Sequence, residues 1–230
     1  MKTRPPLSVP ETAPEDGDDR RPAREIVYAF VREGILTGQL AAGSFVEEAQ
    51  ISAATGVSRT PVREAFQRLA AEKLIELLPR RGAQVRQVTQ AELIDVYDAR
   101  RLLEGHAVRH LCAARLPVPA AMTTLQAAMS ALAESDLIGH VALNQQFHRA
   151  LVGAAGNAVL IELYDGLRAR QQHVAMTAVR SKPERRAIIL AEHAALLEAL
   201  AAHDAAEAIA ILDRHLRPVN EILARLSAAL

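Results

Sequence analysis

The 230-residue sequence predicts a mostly α-helical protein in two parts, an N-terminal winged helix-turn-helix and a C-terminal all-α bundle of six helices. Three observations predict it. Alanine and leucine dominate, aromatic residues make up 3% of the chain and tryptophan is absent, a composition that favours helix over sheet. Apolar residues recur at helical spacing along most of the chain. The stretches Ile75 to Leu78 and Ala83 to Val88 break that pattern and read as two short strands around the turn Pro79-Arg80-Arg81-Gly82. Half of the residues are hydrophobic, enough for a sizeable core.

Residues 1–22 hold five prolines and the charged run Glu15 to Arg21, and are expected to form a disordered tail. Residues 23–88 carry the winged module. Ile26, Val27, Phe30, Val31 and Ile35 form the apolar face of a first helix, which Gly38 and Gly43 terminate. A short helix over about 47–55 turns Ile51 and Ala54 inward. Gly56-Val57-Ser58 is a tight turn, and a third helix over about 58–73 buries Val62, Phe66 and Leu69. Pro61 falls in its first turn, where a missing N–H is harmless. Residues 89–230 read as helices at about 90–114, 118–134, 136–153, 157–179, 183–202 and 204–228, punctuated by Pro117, Pro119, Gly153, Gly156, Asn157, Pro183 and His203-Asp204.

The net charge is zero but unevenly spread: −2 over 1–20, +3 over 21–88 and −1 over 89–230. A mildly basic N-terminal module is compatible with a nucleic-acid partner. The single cysteine, Cys112, permits no internal disulfide and reads as a small buried hydrophobe, in keeping with a reducing cytoplasm. No apolar run reaches membrane-spanning length and no signal pattern opens the chain, so a cytoplasmic protein without a membrane partner is expected. The sequence has no HExxH, phosphate-binding loop or nucleophile elbow, which argues against an enzyme.

A helix pair joined by a tight turn and followed by a wing is built to place its second helix in the major groove of DNA. The segment that would enter is Ser58-Arg59-Thr60-Pro61-Val62-Arg63-Glu64. Arg59 and Arg63 lie four residues apart, on the face opposite Val62, Phe66 and Leu69. An arginine so placed can read guanine bidentately, worth about 1–3 kcal/mol of discrimination. Ser58 and Thr60 suit phosphates, and Arg80 and Arg81 at the wing tip would reach backbone or minor groove.

The segments Ile35 to Leu40, Gly43-Ser44, Gly56 to Ala65 and Pro79 to Gly82 resemble the GntR superfamily of transcription regulators, and the second half resembles its FCD branch. The resemblance spans about residues 24–226. It implies base or phosphate contacts by Arg59 and Arg63 with Thr60 beside them, and a wing tip that Gly82 allows close to the groove. Some family members carry a further DNA-contacting arginine where this chain has Ala49, so operator preference is expected to differ.

All eight histidines fall in residues 89–230. Asn144 and His148, four apart, project from one helical face, while His193 and His215 sit on two other helices. Three imidazoles from three helices suit Zn²⁺, Ni²⁺ or another divalent ion with open positions for ligand. The FCD pattern implies metal ligation at Asn144, His148, His193 and His215. Asn144, where many members have aspartate, leaves the site more positive and so receptive to an anion. Arg100 resembles a family arginine that points into the effector cavity, where a guanidinium can grip a carboxylate. Its alternatives are an external ion pair with Asp98 or Glu104, or a register in which Arg101 faces inward. His106 and His110 form a rival pair that no family motif matches. His140, His173 and His203 read as ordinary surface or core residues. Glu192 adjoins His193 and points a quarter-turn away, so no general base accompanies the histidines.

These readings predict a homodimeric regulator that binds operator DNA and senses a small carboxylate at a metal-containing cavity. The alternatives are an architectural DNA binder with a structural metal, and a metal-dependent hydrolase.

Overall fold

The computed structural model describes residues 21–79, 82–181 and 184–217. The expected tail therefore lies almost wholly outside the described residues, as do Arg80, Arg81 and the end of the last predicted helix. The chain divides into two compact units between Gln87 and Val88.

In the first unit, α1 (Ala23–Thr37) begins after Pro22 and stops at Gly38, whose φ of 78° is the left-handed conformation that only glycine adopts without cost. It buries Val27, Val31, Ile35 and Leu36. Ile26 was expected inward but is 42% exposed. The stripe follows the 27, 31, 35 spacing, and Ile26 lies a hundred degrees off it. Next come β1 (Phe45–Val46), α2 (Glu48–Thr55), α3 (Arg59–Ala71), β2 (Ile75–Leu78) and β3 (Gly82–Val85). Gly56, at φ 68°, closes α2 and turns the chain toward Ser58, the residue before α3.

The wing is a three-stranded antiparallel sheet in the order β1-β3-β2. Leu78 pairs with Gly82 across the turn, and Val46 pairs with Ala83. The sequence showed β2 and β3 but not β1, because two residues are too few to display an alternation. Val27, Val31, Ile51, Val62, Phe66, Leu69 and Leu74 pack as one core with Val46, Ile75, Ala83 and Val85 of the sheet.

The second unit holds seven helices among the described residues: α4 (Gln90–Ala113), α5 (Ala120–Ala131), α6 (Leu137–Ala154), α7 (Ala158–Gly166), α8 (Arg168–Ser181), α9 (Arg185–Ala201) and α10 (Ala205–His215). Side-chain caps fix several starts. Thr89 accepts from the Glu92 N–H, Asp136 from Gly139, Asn157 from Val159 and Leu160, and Asp204 from Glu207.

The predicted helix over 157–179 is two helices, which corrects the count of six. The break falls at Gly166-Leu167, where the Leu167 N–H turns back to the Tyr164 carbonyl at 3.1 Å. Gln145 of α6 then donates its side-chain amide to the Arg168 carbonyl at 2.9 Å. Periodicity within the segment could not reveal the break. Cys112, Met122, Met129, Phe147, Leu151, Leu196, Leu200 and Ile211 belong to the main core, with Cys112 buried as expected. Leu93, Val96, Tyr97, Val174 and Ala178 form a second cluster. Among the described residues, no helix is long and apolar enough to cross a membrane.

Candidate functional site

On the first unit, Ser58, Arg59, Thr60 and Arg63 are all exposed, while Val62, Ala65, Phe66 and Leu69 of the same helix are buried. Arg59 and Arg63 border an open groove of about 800 Å³ that is also lined by Glu48, Gln67, Leu77 and Gly82, while Ser58 and Thr60 are not part of its lining. Arg63 Nε donates to both carboxylate oxygens of Glu48, at 2.9 and 2.8 Å. An exposed pair of this kind is worth under about 1 kcal/mol, so Arg63 can exchange its partner. Gly82 has φ 80°, and a Cβ there would stand 3.0 Å from the Val46 carbonyl oxygen. Its lack of a side chain is therefore required by the approach of β1, a reason the sequence did not show.

On the second unit, His148 of α6, His193 of α9 and His215 of α10 converge. His148 Nε2 lies 3.1 Å from His215 Nε2 and 3.1 Å from His193 Nε2. All three are buried, and one ring nitrogen from each falls within 4.8 Å of the others. Such a donor set can hold a divalent ion. Asn144, one turn before His148, is buried with its Oδ1 unpartnered among the described residues, so it can add an oxygen ligand.

Carboxylates stand behind two of the three rings. Glu104 Oε2 is 2.7 Å from His148 Nδ1, and His215 Nδ1 is 2.9 Å from Glu192 Oε2. Carboxylates so placed favour the tautomer whose Nε2 lone pair faces inward. His193 is fixed otherwise: the Phe147 ring stacks on it at 4.0 Å between centroids and 9° between planes. Burial pushes the pKa of all three imidazoles down. The neighbouring histidines add to this at His193 and His215, and Arg100 opposes charge at all three. They are therefore neutral near pH 7, the form that binds metal.

Arg100 is buried, which removes the external ion pair as an alternative, and its Nε donates to Glu104 Oε1 at 2.7 Å. Tyr164 donates to the same oxygen at 2.8 Å. Burial alone would raise the Glu104 carboxyl, but Arg100 and His148 hold it well below the usual carboxylate range. Arg101 takes the outer position, paired with Asp98. Arg100, Asn144 and His215 share the wall of a cavity of about 30 Å³ with Tyr97, His140 and Arg185. His140, read from sequence as an ordinary residue, is fully buried, and neither ring nitrogen has a partner among the described residues. His106 and His110 are exposed and do not join the cluster.

Sequence reasoning missed Glu104, Tyr164 and Glu192 as site residues. Glu192 does point away from His193, but toward His215 on the adjacent helix. Only the four-residue spacing of Arg100 and Glu104 was a usable signal.

A winged helix-turn-helix followed by a helical unit with a buried histidine cluster defines a DNA-binding transcription regulator with a sensing domain. Residues 23–85 match the bacterial regulatory proteins of the gntR family, and residues 95–218 match the FCD domain. The chain belongs to the GntR family, FCD branch.

It is 35% identical over 157 residues to the probable D-xylose utilization operon transcriptional repressor of Paenarthrobacter nicotinovorans, covering 66% of this chain and 70% of that one. It is 26% identical over 208 residues to the HTH-type transcriptional repressor RspR of Escherichia coli K12, covering 87% and 89%. A crystal structure from Rhodococcus sp. RHA1 assigned as a GntR transcriptional regulator is similar with a TM-score of 0.68 and 25% identity, over 90% of this chain and 98% of that one.

Proposed function

We propose that this regulator responds to a small carboxylate bound at a metal-containing cavity of the helical unit. The convergence of three neutral imidazoles beside Asn144 and Arg100 carries the reading. His148, His193, His215 and Asn144 would hold a divalent ion, Zn²⁺ or Ni²⁺, which supplies a cationic anchor for a carboxylate oxygen. Arg100 offers the anion a second contact. Its guanidinium is already shared with Glu104, so an incoming carboxylate competes for it and draws on the contact that also holds His148. The cavity has room for only a few water-sized groups, so the ligand is small or the surrounding helices part to admit it. Either event favours one packing of the helices over another, as effector control requires.

Operator contact falls to Ser58, Arg59, Thr60 and Arg63, with Arg80, Arg81 and Gly82 at the wing. The protein acts as a homodimer on paired half-sites, in the cytoplasm. Catalysis is disfavoured because Glu104 and Glu192, the acids nearest the cluster, are both directed at histidine Nδ1 atoms rather than at an open position. A purely structural metal is the second reading, favoured by the small cavity.

Titrating a panel of small carboxylates against the protein–operator complex, with and without a chelator, tests the proposal. Metal-dependent release by one class of acid is expected. Operator affinity indifferent to every acid would leave the structural-metal reading.

A further inference from the structure

The outer face of α4 carries two histidines that the buried cluster does not use. His106 and His110 are both exposed and lie four residues apart, so their side chains leave one face of the helix a single turn apart. Their rings stand nearly parallel, with 13° between planes and 6.4 Å between centroids. Arg109 falls between them in the chain, but its guanidinium lies back over Gly105, beside Ile209 of α10. Gly105 is about 140° round the helix from His110, so that charge sits on another flank of α4.

Two imidazoles at this spacing form a chelate. Side chains at i and i+4 start about 5–6 Å apart at Cβ, which lets two ring nitrogens close on one ion at roughly 2 Å each. The HExxH helix of zinc proteases uses the same interval. At their present separation the rings are not closed on an ion. Both are exposed, so side-chain rotation brings them together without disturbing the core. Among the described residues no further histidine, cysteine or carboxylate joins them in a group of three, so water would complete the coordination. Two nitrogens with water in the remaining positions suit the tetragonal preference of Cu²⁺, which binds such donors more strongly than its divalent neighbours. Mg²⁺ demands oxygen ligands and is rejected.

We propose that His106 and His110 form a second, solvent-facing metal site that takes Cu²⁺ in preference to other divalent ions. The site is separate from the buried cluster and does not depend on carboxylate sensing. An ion held there ties together two successive turns of α4, the helix whose buried face holds Arg100 and Glu104.

Copper titration of the full chain in a non-chelating buffer near neutral pH, followed by calorimetry and electron paramagnetic resonance, tests it. The wild type should take up one more Cu²⁺ per chain than His106→Ala, whatever the occupancy of the buried cluster, and that ion should show nitrogen coordination. His110→Ala should lose the same ion. Each loss should exceed the roughly ten-fold fall in affinity that follows removal of a mere supporting partner. Because both side chains are exposed, neither alanine variant threatens the fold. His148→Ala removes a ligand of the buried cluster and should keep the outer copper, which separates failure of one site from failure of the other. Equal copper uptake by the wild type and both alanine variants overturns the site. Loss in only one of the two variants overturns the shared chelate, and Mg²⁺ binding as tight as that of Cu²⁺ overturns the assigned chemistry.

Discussion

The carboxylate of Glu104 stands 2.7 Å from Nδ1 of His148, and its other oxygen accepts from Arg100. One buried acid thus connects the arginine offered to an effector with a ring offered to a metal. Its charge survives burial because two partners and the Tyr164 hydroxyl surround it.

Replacing that acid by its neutral isostere should be severe. Glu104→Gln leaves the Arg100 guanidinium buried without a counter-charge, and is expected to cost about 3–5 kcal/mol of stability. Zinc affinity should fall about 10–100-fold, the usual effect of losing a group that orients a ligand. Thermal melts and metal titration measure the two effects separately.

His148→Ala should abolish zinc binding and blunt effector-driven operator release while leaving operator affinity within about two-fold. Chelation of the wild-type protein should reproduce that phenotype. Fluorescence anisotropy with labelled operator measures both. A metal-free mutant that still released DNA in response to an acid would remove the sensing role of the cluster.

Acid should destabilise the metal-free protein earlier than an ordinary carboxylate-driven transition would. The His140 pKa drops from its ordinary value of 6.5 to about 4, and the three clustered histidines shift in the same direction. Below 6.5 the unfolded chain binds protons that the folded chain refuses, so stability is full above that pH and declines as pH falls toward 4. For His140 alone the loss is on the order of 1–3 kcal/mol. Urea midpoints between pH 7.5 and 4.5 should show the decline, and His140→Leu should flatten it.

Arg59→Ala and Arg63→Ala are each expected to cost about 1–3 kcal/mol of preference for operator over scrambled DNA at matched salt. Competition binding measures this. If Arg63 contacts DNA as proposed, it must first leave Glu48, so Glu48→Gln should alter operator affinity without altering the fold.

At the wing, Gly82→Ala should destabilise the first unit by about 1–2 kcal/mol, since alanine would be forced into a left-handed backbone against the Val46 carbonyl. A thermal melt of the variant checks this.

Much of the fold was legible because its signals are local. Thr89, Asp136, Asn157 and Asp204 cap helices through neighbours two or three residues away, and Gly38 and Gly56 end helices through their own φ. The break at Gly166-Leu167 was illegible because the helical spacing of Leu160, Tyr164 and Leu167 runs through it. His140 was passed over because a lone histidine on a helix carries no mark of the cavity it faces.

By itself the sequence determined the two-part architecture and the helix whose arginines face away from its own core, features that depend on periodicity and capping, which operate within about a turn of the chain. The three imidazoles were marked only by the resemblance to the FCD pattern. Tertiary structure alone decided that Nε2 atoms from α6, α9 and α10 meet, that Glu192 serves His215 rather than its neighbour His193, and that Arg100 is held by a buried acid. Those distances depend on how separate helices pack side by side, and no spacing along the chain encodes them.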